Sequence, residues 1–196
     1  MPPRTVAVAP APLTKGSAMF LENHLQLGRA LAKESPALRA HLLRRELFLV
    51  GNVLPDLLPF TYLSGLRETG HWVGHSLPHS KKKIARGLDR RLSVGLRSAA
   101  DAFRLGVLLH YLADSFTYPH TEQFHGTRRE HSRYEAALRR VFPNYLSLVR
   151  ETPPAASADF TAEARRAYEA LPPSPERDSE WIVRVCAAVF YAIASI

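Results

Sequence analysis

The segment before Pro119 constrains the fold most strongly, because it is long enough for a helix and apolar almost all the way round. A surface helix would carry a polar stripe, so residues 99–117 are predicted to form a central helix of a bundle. Two ionisable residues nevertheless occur within it. His110 and Asp114 are four positions apart and therefore share one face of the helix. A carboxylate buried in this way needs a partner.

A second pair of the same kind follows. In the predicted helix after residue 128, His131 and Glu135 share the apolar stripe with Leu138, and His120 lies between the two pairs in the chain. A single pair is explained more simply by a buried hydrogen bond between imidazole and carboxylate. Two pairs with a histidine between them, in the pattern H-x3-D-x5-H-x10-H-x3-E, favour a metal site.

Two further residues are candidates on weaker grounds. His24 shares a face with Leu27 and Leu31 in the first predicted helix, where a lone histidine is more often a hydrogen-bonded core residue than a ligand. Asp56 follows Pro55 in an apolar turn. It either caps the next turn or, together with the other ionisable residues, serves as a metal ligand or a base.

The remaining histidines divide into two groups. His71, His75 and His79 lie in a segment whose glycine and proline favour a loop, and one of the three is expected to complete a site. His41 and His125 have no comparable neighbours in the sequence. We interpret these two as surface or structural residues.

The pattern as a whole predicts an all-α fold. Alternation typical of strands is nearly absent, and we expect residues 1–16 to be a flexible segment and 17–196 to be a single helical metal-binding domain with a proline-rich connection at 152–178. Gly51 is expected to end the second helix, and Pro55 and Pro59 to bracket a non-helical turn. The predicted helices span residues 17–33, 37–50, 81–93, 99–117, 128–142, 161–171 and 179–196.

Composition excludes some classes of protein and permits others. The single cysteine excludes an internal disulfide framework and a cysteine-rich zinc site. The apolar run at 185–196 has 12 residues, too few to span a membrane, and residues 1–10 do not resemble a secretory signal, so we expect a cytoplasmic location. The net charge of +8 permits an anionic partner. The lysines at 81–83 either attract such a substrate or form a solvated helix start.

Three segments together carry a resemblance to a known family. Residues 45–56 (RELFLVGNVLPD), 109–120 (LHYLADSFTYPH) and 131–135 (HSRYE) resemble the bacterial zinc-dependent phospholipase C family, whose fold is shared by fungal single-strand nucleases. The resemblance spans roughly residues 17–142. It implies a single-domain helical bundle of this type that encloses three zinc ions and cleaves phosphodiester bonds.

The resemblance also implies roles for individual residues. His110 and Asp114 match ligands of one zinc, with Asp114 shared with a neighbouring metal, and a histidine of the 71–79 loop is expected to join them. We favour His79 or His75, because a helix is predicted to begin directly afterwards. His24 matches the first-helix ligand of a third zinc.

The other matching residues complete the implied site. His120, His131 and Glu135 match the three protein ligands of another zinc, and Asp56 matches the acidic residue that acts as base or orients the attacking water. Secreted members bind the third zinc through an N-terminal Trp, whereas this chain has 16 residues and no Trp ahead of its first predicted helix. Two or three zinc ions are therefore expected.

Three functions follow as hypotheses. The first is a zinc phosphodiesterase, phospholipase C-like, that acts on phospholipid head groups with peripheral membrane contact. The second is a nuclease for single strands on the same metal core, with Phe60, Tyr62 and Trp72 as stacking residues or simply packing residues. The third is a non-catalytic, metal-stabilised helical protein that binds a partner.

Overall fold

A computed structural model describes residues 17–57, 84, 87, 88, 90, 95–155 and 159–194 of the chain. These residues form eight α-helices and two short 3-10 turns and no strand, which confirms the all-α prediction. The helices are α1 (Ser17–Glu34), α2 (Pro36–Ala40), α3 (Leu42–Leu57), α4 (Ala99–Ser115), α5 (Arg128–Val141), α6 (Leu148–Glu151), α7 (Phe160–Glu169) and α8 (Pro175–Ala194). The 3-10 turns are Tyr118–His120 and Phe142–Tyr145.

Helix α4 is the central helix that its composition predicts. It begins with a capping box, in which the Ser98 hydroxyl accepts from the Asp101 N–H and the Asp101 carboxylate accepts from the Ser98 N–H. Most of its residues are buried, including His110 and Asp114. Pro119 lies in the 3-10 turn that follows, so the chain turns just beyond the end of α4.

Helices α3 and α4 cross in close contact, and this corrects the prediction that Gly51 ends a helix. A Cβ atom at Gly51 would collide with the carbonyl oxygen of Phe103, and one at Gly106 would collide with that of Phe48. Gly51 therefore permits close packing inside α3 instead of ending it. The predicted helix 37–50 is in fact divided at His41, whose backbone is extended, into α2 and α3.

The predicted non-helical turn around Asp56 is also wrong, because α3 continues to Leu57. Pro55 lies within the last turn of this helix. A proline there removes one backbone hydrogen bond, to the carbonyl oxygen of Gly51, but α3 continues through it to Leu57. As a result Asp56 is a helical residue, at the end of α3 that lies beside His110.

The other helices surround this pair. Helix α8 packs on both α4 and α5, and α1 packs across α3 and α5. Buried apolar residues between Leu27 and Ile193 form one connected core cluster. Helices α5, α7 and α8 confirm predicted helices, although α8 begins at Pro175, four residues before the predicted start, and α6 was not predicted.

Several predictions concern residues that are described only in part or not at all. In the segment 81–93, the four described residues Ile84, Gly87, Leu88 and Arg90 are helical, and the remainder lies outside the described residues. The N-terminal segment 1–16 also lies outside them. Among the described residues, no helix is both long and apolar enough to cross a bilayer. The division into residues 1–16 and a single domain at 17–196 stays a prediction.

Candidate metal centre

Three buried residues from two helices converge at one point; we refer to His24, His110 and Asp114 as the buried cluster. His24 Nε2 lies 3.2 Å from Asp114 Oδ1, and His110 Nε2 lies 3.3 Å from Asp114 Oδ2. The two imidazole rings stack with their centroids 4.0 Å apart. All three side chains are at most 2% exposed. Helix α1 thus brings a histidine to the face of α4 that carries the His110–Asp114 pair.

The orientation of His110 is set by the backbone of α3. Its Nδ1 lies 2.9 Å from the carbonyl oxygen of Asn52, so this nitrogen carries a proton and donates it. The lone pair of the neutral ring then belongs to Nε2, which is directed at Asp114. Histidines that bind metals commonly hold their other ring nitrogen in this way. The helix crossing at Gly51 and Gly106 makes this contact available, because it brings α3 close to α4.

The charges of the buried cluster are strongly interdependent. Burial by itself would raise the pKa of Asp114, but His110 and His24 outweigh it and hold that pKa well below its usual range. Burial lowers the pKa of His24, and the neighbouring His110 lowers it further. For His110, the lowering by burial is outweighed by Asp114 and Asp56, so its pKa is raised. Asp114 is therefore an anion that only histidine protons, or a bound cation, can neutralise.

Asp56 lies at the edge of the buried cluster. Its Oδ1 is 3.5 Å from His110 Nε2, and its side chain is 12% exposed. The C-terminal end of α3 thus brings a second carboxylate to the histidine that already faces Asp114. Asp56 is more accessible than Asp114, so it is the carboxylate of this pair that a substrate or a water molecule can approach.

A second group, the outer cluster, consists of His120, His131 and Glu135. Glu135 Oε1 lies 2.7 Å from His131 Nε2 and 3.6 Å from His120 Nε2. The 3-10 turn supplies His120, and α5 supplies the other two. The side chains are 15%, 33% and 12% exposed for His120, His131 and Glu135, so this cluster is more accessible than the buried one.

The two clusters influence each other electrostatically. Burial alone would lower the pKa of His120, but Glu135, Asp114 and Asp56 more than offset it and raise this pKa to about 9. Burial alone would raise the pKa of Glu135, whereas the bonds to His120 and His131 lower it to about 2. Asp114 belongs to the buried cluster and Asp56 lies at its edge, so the two clusters are close enough to influence each other's charges.

The spacing of donor atoms fits zinc. Ligand atoms about 2.0–2.1 Å from a tetrahedral zinc lie about 3.3 Å from one another. The separations of 3.2, 3.3, 3.5 and 3.6 Å in the two clusters are close to that value. His131 and Glu135, at hydrogen-bond distance, would have to separate slightly. In each cluster the donor atoms of three residues lie within 4.8 Å of one another. Imidazole and carboxylate donors suit zinc.

A further buried carboxylate, Asp178, was not found from the sequence. Asp178, in the first turn of α8, is fully buried and is bound by four other residues. We refer to these five residues as the Asp178 network: Tyr118, Tyr134, Tyr168, Arg177 and Asp178. A signal was present, because Asp178 shares the apolar helical face of Ile182, Val185 and Val189. The prediction that this helix begins at residue 179 concealed it.

The remaining candidate residues are placed as follows. His41 and His125 are exposed and lie outside both clusters. Three predicted groups lie outside the described residues. They are the candidates for an additional ligand (His71, His75 and His79), the stacking aromatics (Phe60, Tyr62 and Trp72) and the lysines at 81–83. Their roles stay predictions.

Comparison with known proteins identifies one relationship. A family model described as zinc dependent phospholipase C matches residues 23–195, which covers most of the chain and all residues of both clusters. No curated protein and no solved structure matches significantly.

Proposed function

Because the chain belongs to the zinc-dependent phospholipase C family, we propose that it hydrolyses phosphodiester bonds in phospholipid head groups at the two clusters. The single observation that carries this proposal is the convergence of two three-residue donor sets near the C-terminal end of α4. A structural histidine needs one hydrogen-bond partner. Here four histidines surround three carboxylates at spacings that suit metal ligands.

The residues divide among the metal ions as follows in this proposal. His120, His131 and Glu135 hold one zinc. His110 and Asp114 hold a second, with Asp56 beside them and His75 or His79 as an additional ligand. The two oxygens of Asp114 face different histidines, which supports the sharing of this carboxylate with a third ion next to His24. We propose two or three zinc ions accordingly.

Zinc held in these clusters would supply Lewis acidity, which activates water at neutral pH and stabilises negative charge on phosphoryl oxygens. The chain's own residues have complementary tasks. The hydrogen bond from His110 Nδ1 to Asn52 fixes the direction of Nε2 and raises the basicity of this ligand. The burial of Asp114 excludes bulk water from the inner side of the site, where attraction between opposite charges is strongest.

Asp56 is our candidate for the base. It is the one carboxylate at the buried cluster with appreciable exposure, and its Oδ1 is directed toward the histidine that faces Asp114. In this role Asp56 orients the attacking water and accepts its proton at a carboxylate oxygen. It could additionally serve as a metal ligand. An Asp56→Asn variant that keeps its zinc is expected to lose about 10²–10⁴-fold in kcat.

The proposal is tested by hydrolysis of three substrates: a chromogenic phosphocholine diester, phosphatidylcholine vesicles and single-stranded DNA. We expect hydrolysis of the first two, loss of activity with a chelator and recovery with added zinc. His110→Ala abolishes the activity, whereas His125→Ala, which replaces an exposed histidine outside the clusters, keeps it.

The other outcomes decide between the remaining hypotheses. Hydrolysis of DNA alone would replace the proposal by a nuclease function, and zinc-loaded protein without turnover of any substrate would leave a metal-stabilised binding protein. Binding to vesicles tests the peripheral membrane contact, which stays a prediction, as does the cytoplasmic location.

A further inference from the structure

The Asp178 network connects the two elements that supply the outer cluster. We propose that Asp178 is a positioning residue, which holds the 3-10 turn bearing His120 at a fixed distance from the helix bearing His131 and Glu135. This inference rests on the proposed metal-binding function of the outer cluster. It assigns a role to a residue that lies in neither donor set.

The connection is made by a single oxygen atom. Asp178 Oδ2 accepts the backbone N–H of Tyr118 at 2.6 Å and the hydroxyl of Tyr134 at 2.8 Å. Tyr118 begins the 3-10 turn that ends with His120. Tyr134 directly precedes Glu135 in α5. One carboxylate oxygen on α8 therefore joins the His120 turn to the helix that carries the other two donors.

The carboxylate that makes this connection is itself held rigidly. Its other oxygen, Oδ1, accepts from Arg177 Nε at 2.9 Å, from Arg177 Nη2 at 2.6 Å and from the Tyr168 hydroxyl at 2.9 Å. Asp178 is fully buried, and Arg177 is 8% exposed. Hydrogen bonds to charged groups are the stronger ones, and both oxygens here are engaged. Asp178 therefore provides a fixed point within the bundle.

Aromatic packing reinforces the same connection. The rings of Tyr118 and Tyr134 lie 5.6 Å apart, and Phe124 contacts both Tyr118, at 5.4 Å, and His131, at 5.9 Å. Through Phe124, the packed aromatic rings reach from Tyr118 to His131, which is a member of the outer cluster. Tyr118 thus orients the turn by its ring as well as by its N–H.

The outer cluster has a particular need for such support. His120 lies on a three-residue 3-10 turn that has no side-chain cap of its own, and the cluster is partly exposed. A metal site requires donors held within about 0.5 Å of their productive positions by surrounding contacts. Residues that support ligands typically contribute about 10–100-fold in metal affinity.

Two tyrosines provide a matched test. Tyr134→Phe and Tyr168→Phe each remove a hydroxyl that donates to Asp178, and the Tyr168 hydroxyl also accepts from Arg177. Only Tyr134 lies on a helix that carries outer-cluster donors. Metal-free protein would be titrated with zinc against a chromophoric chelator, and with cobalt to record the visible spectrum of the bound ion. Glu135→Gln identifies which binding step belongs to the outer cluster, and urea unfolding of the metal-free variants measures their stability.

We expect Tyr134→Phe to weaken zinc binding at the outer cluster by about 10–100-fold and to change its cobalt spectrum. Tyr168→Phe lowers stability and leaves this affinity and spectrum as in the wild type. Equal weakening of zinc binding in both variants would mean that the network acts only through stability. Wild-type zinc affinity in Tyr134→Phe would also overturn the positioning role. In both cases the proposed function stands. If Glu135→Gln binds zinc as the wild type does, the proposed function of this cluster fails and the inference fails with it.

Discussion

Asp114 and Asp178 are both buried carboxylates in long helices, at 1% and 0% exposure, yet their partners differ in kind. Asp178 is bound by an arginine, two phenols and a backbone N–H, which together occupy both of its oxygens. Asp114 is faced by two imidazoles. Burial is therefore the same for the two residues, and the chemistry of the donors is what separates a structural carboxylate from a candidate metal ligand.

The donors around Asp178 keep their protons. Burial, with the charge of Asp178, raises the pKa of Tyr134 and of Tyr168 well above the usual range, so both hydroxyls stay donors whenever the protein is folded. An imidazole can instead give up its proton and offer a lone pair. Metal binding then displaces protons from the imidazole ligands. The donors around Asp178 keep their protons and cannot bind a metal in this way.

Removal of Asp178 is expected to have the largest effect on stability. Asp178→Ala leaves the buried Arg177 and the surrounding hydroxyls without their acceptor, which costs about 3–5 kcal/mol in the free energy of unfolding. The loss is expected to be about 1.4–2.7 kcal/mol larger in zinc than in chelator, because a weakening of zinc binding at the outer cluster by about 10–100-fold adds to it. Urea unfolding under both conditions measures it.

A residue on the same helix provides the control for this prediction. Glu180 pairs with Arg184 at the surface, and Glu180→Ala is expected to change stability by at most about 1 kcal/mol. A loss at Asp178 as small as that at Glu180 would contradict the structural role assigned to the Asp178 network.

Replacement of Asp114 should have an effect that depends on zinc. A ligand present at 100 times its Kd stabilises the native state by about 2.7 kcal/mol per site, and Asp114→Asn is expected to abolish that gain for the buried cluster. Thermal or urea unfolding with and without zinc gives the difference directly.

Asp101 offers a matched carboxylate on the same helix. It belongs to the capping box of α4, so Asp101→Asn should lower stability by about 0.5–2 kcal/mol equally with and without zinc. If Asp114→Asn also showed equal losses under both conditions, Asp114 would be a structural carboxylate, and the contrast between its donors and the donors around Asp178 would disappear.

A smaller effect is expected at the helix crossing that supports the buried cluster. Gly106→Ala forces α3 and α4 apart, costs about 1–3 kcal/mol of stability and disturbs the hydrogen bond from His110 to Asn52. Zinc affinity at the buried cluster should fall, while the cobalt spectrum of the outer cluster stays unchanged.

Gly28→Ala is the control for this substitution. There the new methyl group would meet side-chain atoms of Asn52 and Leu49 at 3.2 Å, which can move, so we expect the loss to be smaller than at Gly106. If Gly106→Ala binds zinc at the buried cluster as tightly as the wild type does, this cluster does not depend on the helix crossing.

Much of the fold follows from the sequence because helix periodicity is a local property. The central helix and α5 have their predicted extents to within two residues. The error at Gly51 arose because glycine has two uses, to end a helix and to admit a neighbouring helix, and only the position of α4 distinguishes them. Pro55 misled because a proline inside a helix is disfavoured but not excluded, and the packing of α3 on α4 outweighs its cost.

The candidate site was predictable where pairs of residues fall four apart on an apolar helix face. That rule found His110 with Asp114 and His131 with Glu135, which the structure brings together. It could not find the contacts between elements, such as His24 with Asp114, whose positions are 90 residues apart in the chain. The resemblance to the family supplied those. Asp178 has neither a histidine four residues away nor a family motif. Its one signal, a place on the apolar face of α8, was concealed because the helix was predicted to begin at residue 179.

The most direct test of the account is the zinc content of dialysed protein, measured by elemental analysis for the wild type and three variants. The account predicts two or three zinc ions per chain in the wild type, a partial loss in Asp114→Asn and in Glu135→Gln, and no zinc in the variant that combines them. A wild type without zinc, or a combined variant with wild-type zinc content, would contradict it.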